Sequence, residues 1–246
     1  MKNIISSLLL VSLFALVACS NDDDNATINN ATTRNPKKVI LNTYSNQGNL
    51  TNTVLYEFSY NEKSLLSTVK ITDVDGVKNR TINYNSEDRI SQITQTSGNN
   101  AKILTVTYTG ENATLSISGV TNPYLFTYSS SNNSYDYSNG TDNGTFFFGD
   151  NDNLIEIISE NTSIFSKSVT TEIKGIYANQ NKLTAFFFSF LNNGEFLFFD
   201  RNAMSTLSFD GVNYIINNES ENGSLTYYNM INATTQIKIV DVIIIY

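Results

Sequence analysis

The chain has 246 residues, with 23 acidic against 15 basic side chains, a net charge of −8, one Cys, no His and no Trp. This balance excludes a nucleic-acid-binding stripe, which needs clustered Lys and Arg to neutralise phosphates. It also excludes His-based triads and zinc sites built on His or several Cys, and a lone Cys forbids an internal disulfide.

The first segment reads as an export signal. Lys2 precedes an apolar run, Ile4–Ala18, interrupted only by Ser6, Ser7 and Ser12. The run is short for a transmembrane helix, which needs about 20 residues, and fits a secretory h-region. It ends in Leu16-Val17-Ala18-Cys19. These four residues resemble the lipobox of bacterial lipoproteins, and the resemblance implies a diacylglycerol on the Cys19 thiol and removal of residues 1–18. Ser20-Asn21-Asp22-Asp23-Asp24-Asn25 is similar to the acidic export signal of surface lipoproteins from Bacteroidota-type bacteria. Residues 19–38 hold almost no bulky apolar side chain besides Ile28 and read as a polar, disordered tether.

From residue 39 to 246 the pattern is that of one all-β domain. Tyr60, Tyr84 and Tyr108 recur at a constant spacing of 24 residues, and each ends a run of alternating polarity, as in Arg80-Thr81-Ile82-Asn83-Tyr84. Alternation of this kind marks half-buried strands. Apolar residues return six and nine positions after several aromatics: Leu66 and Val69 after Tyr60, Ile90 and Ile93 after Tyr84, Leu154 and Ile157 after Phe148. Tyr177 with Leu183 and Phe186, and Phe198 with Met204 and Leu207, continue the series, whereas Tyr108 and Tyr128 fit poorly. Leu66 and Val69 differ in parity, which requires a strand entrance or a bulge at one of them.

Turn chemistry sets a trial register. Asp75-Gly76 favours a two-residue hairpin loop, which pairs Val74 with Val77, Ile71 with Arg80 and Val69 with Ile82. Moving the centre along the repeat places turns at Asn99-Asn100, Thr121-Asn122 and Thr141-Asp142. These pair Ile93 with Val106, Ile117 with Phe126, and Tyr137 with Phe146.

The segments Tyr44-Ser45-Asn46-Gln47-Gly48-Asn49-Leu50, Tyr60-Asn61-Glu62-Lys63-Ser64-Leu65-Leu66 and Tyr84-Asn85-Ser86-Glu87-Asp88-Arg89-Ile90 resemble the YD repeat of Rhs-type shells. That motif runs Tyr-Asp, two variable residues, Gly-Arg-Leu, and the resemblance spans roughly residues 39–210. It implies an antiparallel up-and-down meander of hairpins and no catalytic residue. Further on, Phe186–Leu191 and Phe196–Phe199 flank Asn192-Asn193-Gly194-Glu195 and read as a hairpin apolar on both faces; Asp210-Gly211 turns another; Ile237–Tyr246 forms a last strand. Strands apolar on both faces require cover on both sides, so the sheet is expected to curl into an open or closed barrel.

Few residues suggest chemistry. Asp150-Asn151-Asp152-Asn153 resembles the start of a calcium loop, but Ile155 stands where Gly is needed and Asn161 where the bidentate Glu belongs. A polar turn is the better reading, as it is for Asp73 and Asp75. Tyr124, Phe126, Tyr128, Tyr135 and Tyr137 form an aromatic cluster, read as cross-strand core rather than a sugar platform. No catalytic residue, metal ligand or cofactor is assigned, and Cys19 is the sole modification site. The expectation is a non-enzymatic, lipid-anchored outer-membrane protein facing the cell exterior, serving binding or structure, with an envelope protein or glycan as partner. Its rivals are a carrier of an apolar ligand inside the curled sheet, a hydrolase using paired carboxylates, and an integral barrel in which Tyr246, Ile244 and Val242 form a terminal outer-membrane strand.

Overall fold

A computed structural model describes residues 34–160, 162–191 and 198–246. The signal segment 1–18, Cys19 and the tether up to Thr33 lie outside the described residues. The fold is all-β, with sixteen strands in chain order: β1 (Lys38–Tyr44), β2 (Leu50–Tyr60), β3 (Leu66–Asp73), β4 (Gly76–Tyr84), β5 (Ile90–Ser97), β6 (Asn100–Thr109), β7 (Asn112–Ile117), β8 (Tyr124–Ser129), β9 (Ser134–Ser138), β10 (Asn143–Phe148), β11 (Leu154–Ser159), β12 (Thr162–Lys174), β13 (Asn202–Phe209), β14 (Val212–Glu221), β15 (Ser224–Asn232) and β16 (Lys238–Ile245). Each pairs antiparallel with the next, and β16 returns to β1 through Ile40↔Ile243 and Asn42↔Asp241. The meander is therefore a closed barrel without a free edge. Lys37 donates its backbone N–H to Ile245 O at 2.7 Å, so the body begins slightly ahead of residue 39.

Period-two alternation decides which face each side chain takes. Val39, Leu41, Tyr56, Phe58, Val69, Ile71, Ile82 and Leu104 point inward and are buried. Their outward neighbours include Lys38, Glu57, Lys70, Asn79 and Thr105. The inward row is apolar and packed as a core, and the outward row carries many polar side chains.

The repeat has a local chemical basis. After each repeat Tyr a polar side chain closes the turn: Asn61 Oδ1 accepts the N–H groups of Lys63 (3.0 Å) and Leu65 (2.9 Å), and Asn85 Oδ1 accepts those of Glu87 (3.0 Å) and Arg89 (2.9 Å). Ser45 Oγ does the same for Gln47 and Asn49. The fourth residue after the Tyr is left-handed in each copy: Gly48 (φ 80°), Ser64 (φ 63°) and Asp88 (φ 58°). That is the Gly position of the YD-like motif, and only Gly48 meets it without the Cβ penalty. A bulge follows. Tyr60 faces Leu66 while Ser59 faces Thr68, and Tyr84 faces Ile90 while Asn83 faces Gln92. The extra residue resolves the parity conflict, and Leu66 and Val69 are both buried. Each Tyr hydroxyl then donates to the preceding unit: Tyr84 to Leu66 O (2.7 Å) and Tyr108 to Ile90 O (2.9 Å). After Tyr108 the chain turns at once, with Thr109 facing Asn112, so the longer motif has no room there.

The trial register needs correction. Asp73 faces Gly76 and Val69 faces Arg80, so the first turn is Val74-Asp75. Asp73 explains the shift: its carboxylate accepts the Asp75 N–H (2.9 Å) and the Lys78 ammonium (2.8 Å), opening the turn one residue early. Ile93 faces Leu104 rather than Val106, Phe126 faces Ala113 rather than Ile117, and Phe146 faces Tyr135 rather than Tyr137. Every slip is an even number of residues, so each strand keeps its inward face.

The expected hairpin over Phe186–Phe199 is also corrected. Thr184–Ser189 is a short α-helix, α1, and residues 192–197 lie outside the described set. The connection from β12 to β13 runs inside the barrel. Tyr177, Leu183, Phe186, Phe187, Phe188 and Phe199 are all buried there. Leu183 and Phe186 thus do not continue the repeat after Tyr177, whereas Met204 and Leu207 lie buried on β13.

Candidate functional site

The two ends of the barrel are chemically distinct. At the near end lie Arg34–Lys37, Tyr246, the turns after Tyr60 and Tyr84, and both feet of the internal segment at Lys174 and Asn202. The far end carries the turns 45–49, 74–75, 98–99, 118–123, 139–142, 210–211 and 233–237, and Glu160 between β11 and β12.

The internal segment, described over residues 175–191 and 198–201, enters at the near end. Gly175 is required there, because a Cβ would lie 2.4 Å from Asp200 O. Polar contacts fasten the segment to the wall. Gln180 Oε1 accepts the Leu66 N–H at 2.9 Å, Tyr228 donates its hydroxyl to Phe198 O at 2.8 Å, and Asn153 Nδ2 donates to Asn202 Oδ1 at 3.1 Å. Lys167, on the inner face of β12, meets both Asp200 oxygens at 2.6 and 2.5 Å, with both side chains nearly free of solvent. Burial pushes the Lys167 ammonium down and the Asp200 carboxyl up, and their mutual attraction opposes both shifts. The pair joins segment to wall and has no solvent access for turnover.

α1 leads to Phe190, whose ring lies 4.9 Å from Tyr124 and 5.2 Å from Phe186. Lys102 Nζ donates to Phe190 O at 2.5 Å, tying the end of the helix to β6. Above it opens a cleft of about 640 Å³, whose wall includes Ile117, Val120, Tyr124, Asp142, Ile164 and Phe190. The volume suits a small ligand or a few side chains. The Tyr124 hydroxyl donates to Asp142 Oδ2 at 3.2 Å; burial, then the neighbouring carboxylate, hold this phenol above its ordinary pKa. The cleft offers apolar contact with two charges at its margin.

The residues singled out in the sequence take these places. Cys19 lies outside the described residues. Asp152 sits in a 3-10 turn at the near end and pairs with Arg201 (3.1 Å), while Asn153 accepts the Asn202 N–H at 2.9 Å, so this turn braces the internal segment. Among the described residues no three His, Cys, Asp or Glu side chains converge as a metal site. Of the aromatic cluster, Phe126, Tyr135 and Tyr137 are core, whereas Tyr124 and Tyr128 remain partly exposed. Ring contacts such as Tyr128–Tyr135 at 5.0 Å are the cross-strand pairs expected. Lys167 and Asp200 escaped notice, although Lys167 shares parity with the inward Phe165 and so carried a readable signal.

No protein-family model matches this chain, and no curated protein does. Among solved structures, the chain is similar to a porin-like protein from Bacteroides uniformis, with a TM-score of 0.49 and 13% identity, covering 86% of this chain and 97% of that one. It is also similar to a porin-like protein from Bacteroides vulgatus, with a TM-score of 0.39 and 11% identity, covering 87% of this chain and 99% of that one.

Proposed function

We propose that this chain is a lipid-anchored envelope protein with a non-enzymatic binding or structural role, held at the outer membrane by Cys19 and facing the exterior. The observation that carries the reading is the partition of the barrel wall: apolar side chains and an internal segment fill the inside, and rows of hydrogen-bonded polar side chains cross the outside. One such row crosses the closing seam. Asn217 Nδ2 donates to Asn229 Oδ1 (3.0 Å), Asn42 Nδ2 to Asp241 Oδ1 (2.8 Å), Thr53 Oγ1 to Asn42 Oδ1 (2.8 Å), and Tyr44 OH to Asp241 Oδ2 (2.7 Å). On a lipid-facing wall each midplane charge costs up to about 2–4 kcal/mol.

The tether fits the same picture. Arg34 leaves the body at the near end, and the stretch from Ser20 reaches at most roughly 55 Å when fully extended. Among the described residues, aromatic side chains of the internal segment fill the interior that an apolar carrier would use; the far-end cleft offers a place for a ligand. The integral barrel is the second reading. It draws on the closed sheet and on the outward Ile40, Leu55, Ile243 and Ile245 near the seam.

One experiment separates the two readings. The chain from Ser20 to Tyr246, made without its signal, is expected to stay monodisperse in detergent-free buffer. Full-length protein is expected to sediment with membranes and to carry a thioether-linked diacylglycerol on Cys19 by mass spectrometry. A requirement for detergent by the Ser20 chain selects the integral barrel; an unmodified Cys19 removes the anchor.

A further inference from the structure

The turns at the far end expose aliphatic side chains that those at the near end lack. Leu50, Val74, Ile103, Val120, Ile164 and Val212 are all exposed; Val74 and Val120 lie in the connections, and the other four fall within the first four residues of strands that leave this end. Val74 is 81% accessible at a hairpin tip. Near-end turns instead present Asn61, Glu62, Lys63, Glu87, Asp88 and Glu111. An apolar rim around a cleft, concentrated at one end, marks an interaction surface rather than scattered surface apolarity. Two seats lie within it: the cleft of about 640 Å³ over Phe190, and a depression of about 480 Å³ bordered by Leu50, Leu55 and Val74.

We propose that the far end docks a partner polypeptide that presents apolar side chains among basic ones. The proposal rests on the tethered-barrel reading. Charge selects the partner. The same turns expose Asp75, Asp142, Glu160 and Asp210, while their cations are engaged, Lys78 by Asp73 and Lys102 by the Phe190 carbonyl. An anionic bilayer is repelled by such a rim, whereas basic residues flanking an apolar anchor are attracted.

The absence of Trp allows a direct test. A synthetic peptide with one Trp between Leu and Lys residues is titrated with the Ser20–Tyr246 chain in detergent-free buffer. Its emission is expected to shift to the blue as the indole enters the cleft. Val120→Glu with Ile164→Glu is expected to weaken binding at least tenfold. Ile243→Glu with Ile245→Glu adds the same charge on the near-end wall and is expected to leave binding unchanged. If the far-end glutamates prevent folding, as a thermal melt reports, Val120→Ser with Ile164→Ser takes their place. Equal loss in both pairs, equal binding of a Trp peptide carrying Glu for Lys, or no shift with soluble barrel overturns the proposal. Binding of phosphatidylglycerol vesicles through the far end in place of the peptide overturns it in favour of a membrane surface. Insolubility of the Ser20 chain overturns the tethered-barrel reading and this proposal with it.

Discussion

The wall from Tyr44 to Thr109 and the segment from Gly175 to Arg201 lie in the same barrel yet are specified in different ways. In the wall, short-range chemistry dominates: an Asn or Ser closes each turn, a left-handed residue follows, a bulge re-aims the strand, and a Tyr hydroxyl bonds the unit before it. Each instruction spans few residues and repeats. In the internal segment the specification is long-range. Asp200 is held by Lys167, Gln180 by Leu66, and Phe190 by Lys102. The wall therefore tolerates the loss of one local bond, whereas the segment depends on a few buried contacts that have no substitutes.

That contrast predicts its largest effect at the ion pair. Asp200→Ala leaves the Lys167 ammonium buried without its carboxylate and is expected to cost about 3–5 kcal/mol in urea unfolding. Lys167→Met combined with Asp200→Leu removes both charges and is expected to recover most of that loss. If the double variant is as unstable as Asp200→Ala, the segment is held by something other than this pair.

Next in size is Asp241, which joins β1 to β16. Burial raises its carboxyl pKa, but bonds from Lys238, Tyr44 and Asn42 prevail and hold it below the ordinary value. A carboxyl depressed in the folded state contributes stability that is complete above its unfolded pKa, about 3.9, and is lost as pH falls through the folded value. Asp241→Asn is expected to destabilise by about 1.5–3 kcal/mol at pH 7, the range for hydrogen bonds to charged groups. The deficit should shrink as the wild type is titrated into acid. A deficit that stays constant from pH 7 to pH 2 would show that the seam does not use this charge.

These differences also explain what was legible in the sequence. The repeat, the antiparallel meander and the inward faces could be read because alternation and turn residues act locally. Register failed by two or four residues because Asp73 reshapes the first turn and the connection from β7 to β8 spans six residues rather than two, which dipeptide preferences alone do not convey. The internal segment was misread because Phe186-Phe187-Phe188-Ser189-Phe190-Leu191 is a short apolar run, and such a run suits a buried strand or a buried helix equally. Its surroundings, aromatic on all sides, decide for the helix: Phe186 lies 3.9 Å from Phe146 and 5.1 Å from Phe126. The far-end cleft was invisible for the same reason, since Tyr124 and Phe190 meet only after the segment has crossed the barrel.

A smaller effect belongs to the wall. Tyr84→Phe deletes one hydroxyl and leaves Leu66 O without that bond, at an expected cost of about 1–2 kcal/mol. Burial already raises the Tyr84 phenol pKa far above its ordinary value, so the wild-type hydroxyl stays protonated throughout the alkaline range in which proteins are usually studied. Tyr60→Phe, which frees Pro36 O next to the tether, is expected to behave alike. A loss above 4 kcal/mol at either position would mean that the hydroxyls act as one network rather than as separate local ties.

The smallest prediction has the opposite sign. Ser64 adopts φ 63° in a turn where the corresponding residue of the first copy is Gly48. A Cβ in the left-handed region costs roughly 1–2 kcal/mol, offset in part by the greater freedom Gly has when unfolded. Ser64→Gly is therefore expected to stabilise the barrel by about 0.5–1 kcal/mol, read as a higher urea midpoint with an unchanged slope. Asp88→Gly relieves the same strain but surrenders the exposed ion pair with Lys63, worth at most about 1 kcal/mol, and should gain less. If Ser64→Gly is neutral or harmful, the turn is held by contacts beyond its own backbone, and the wall is less local in its specification than its repeat implies.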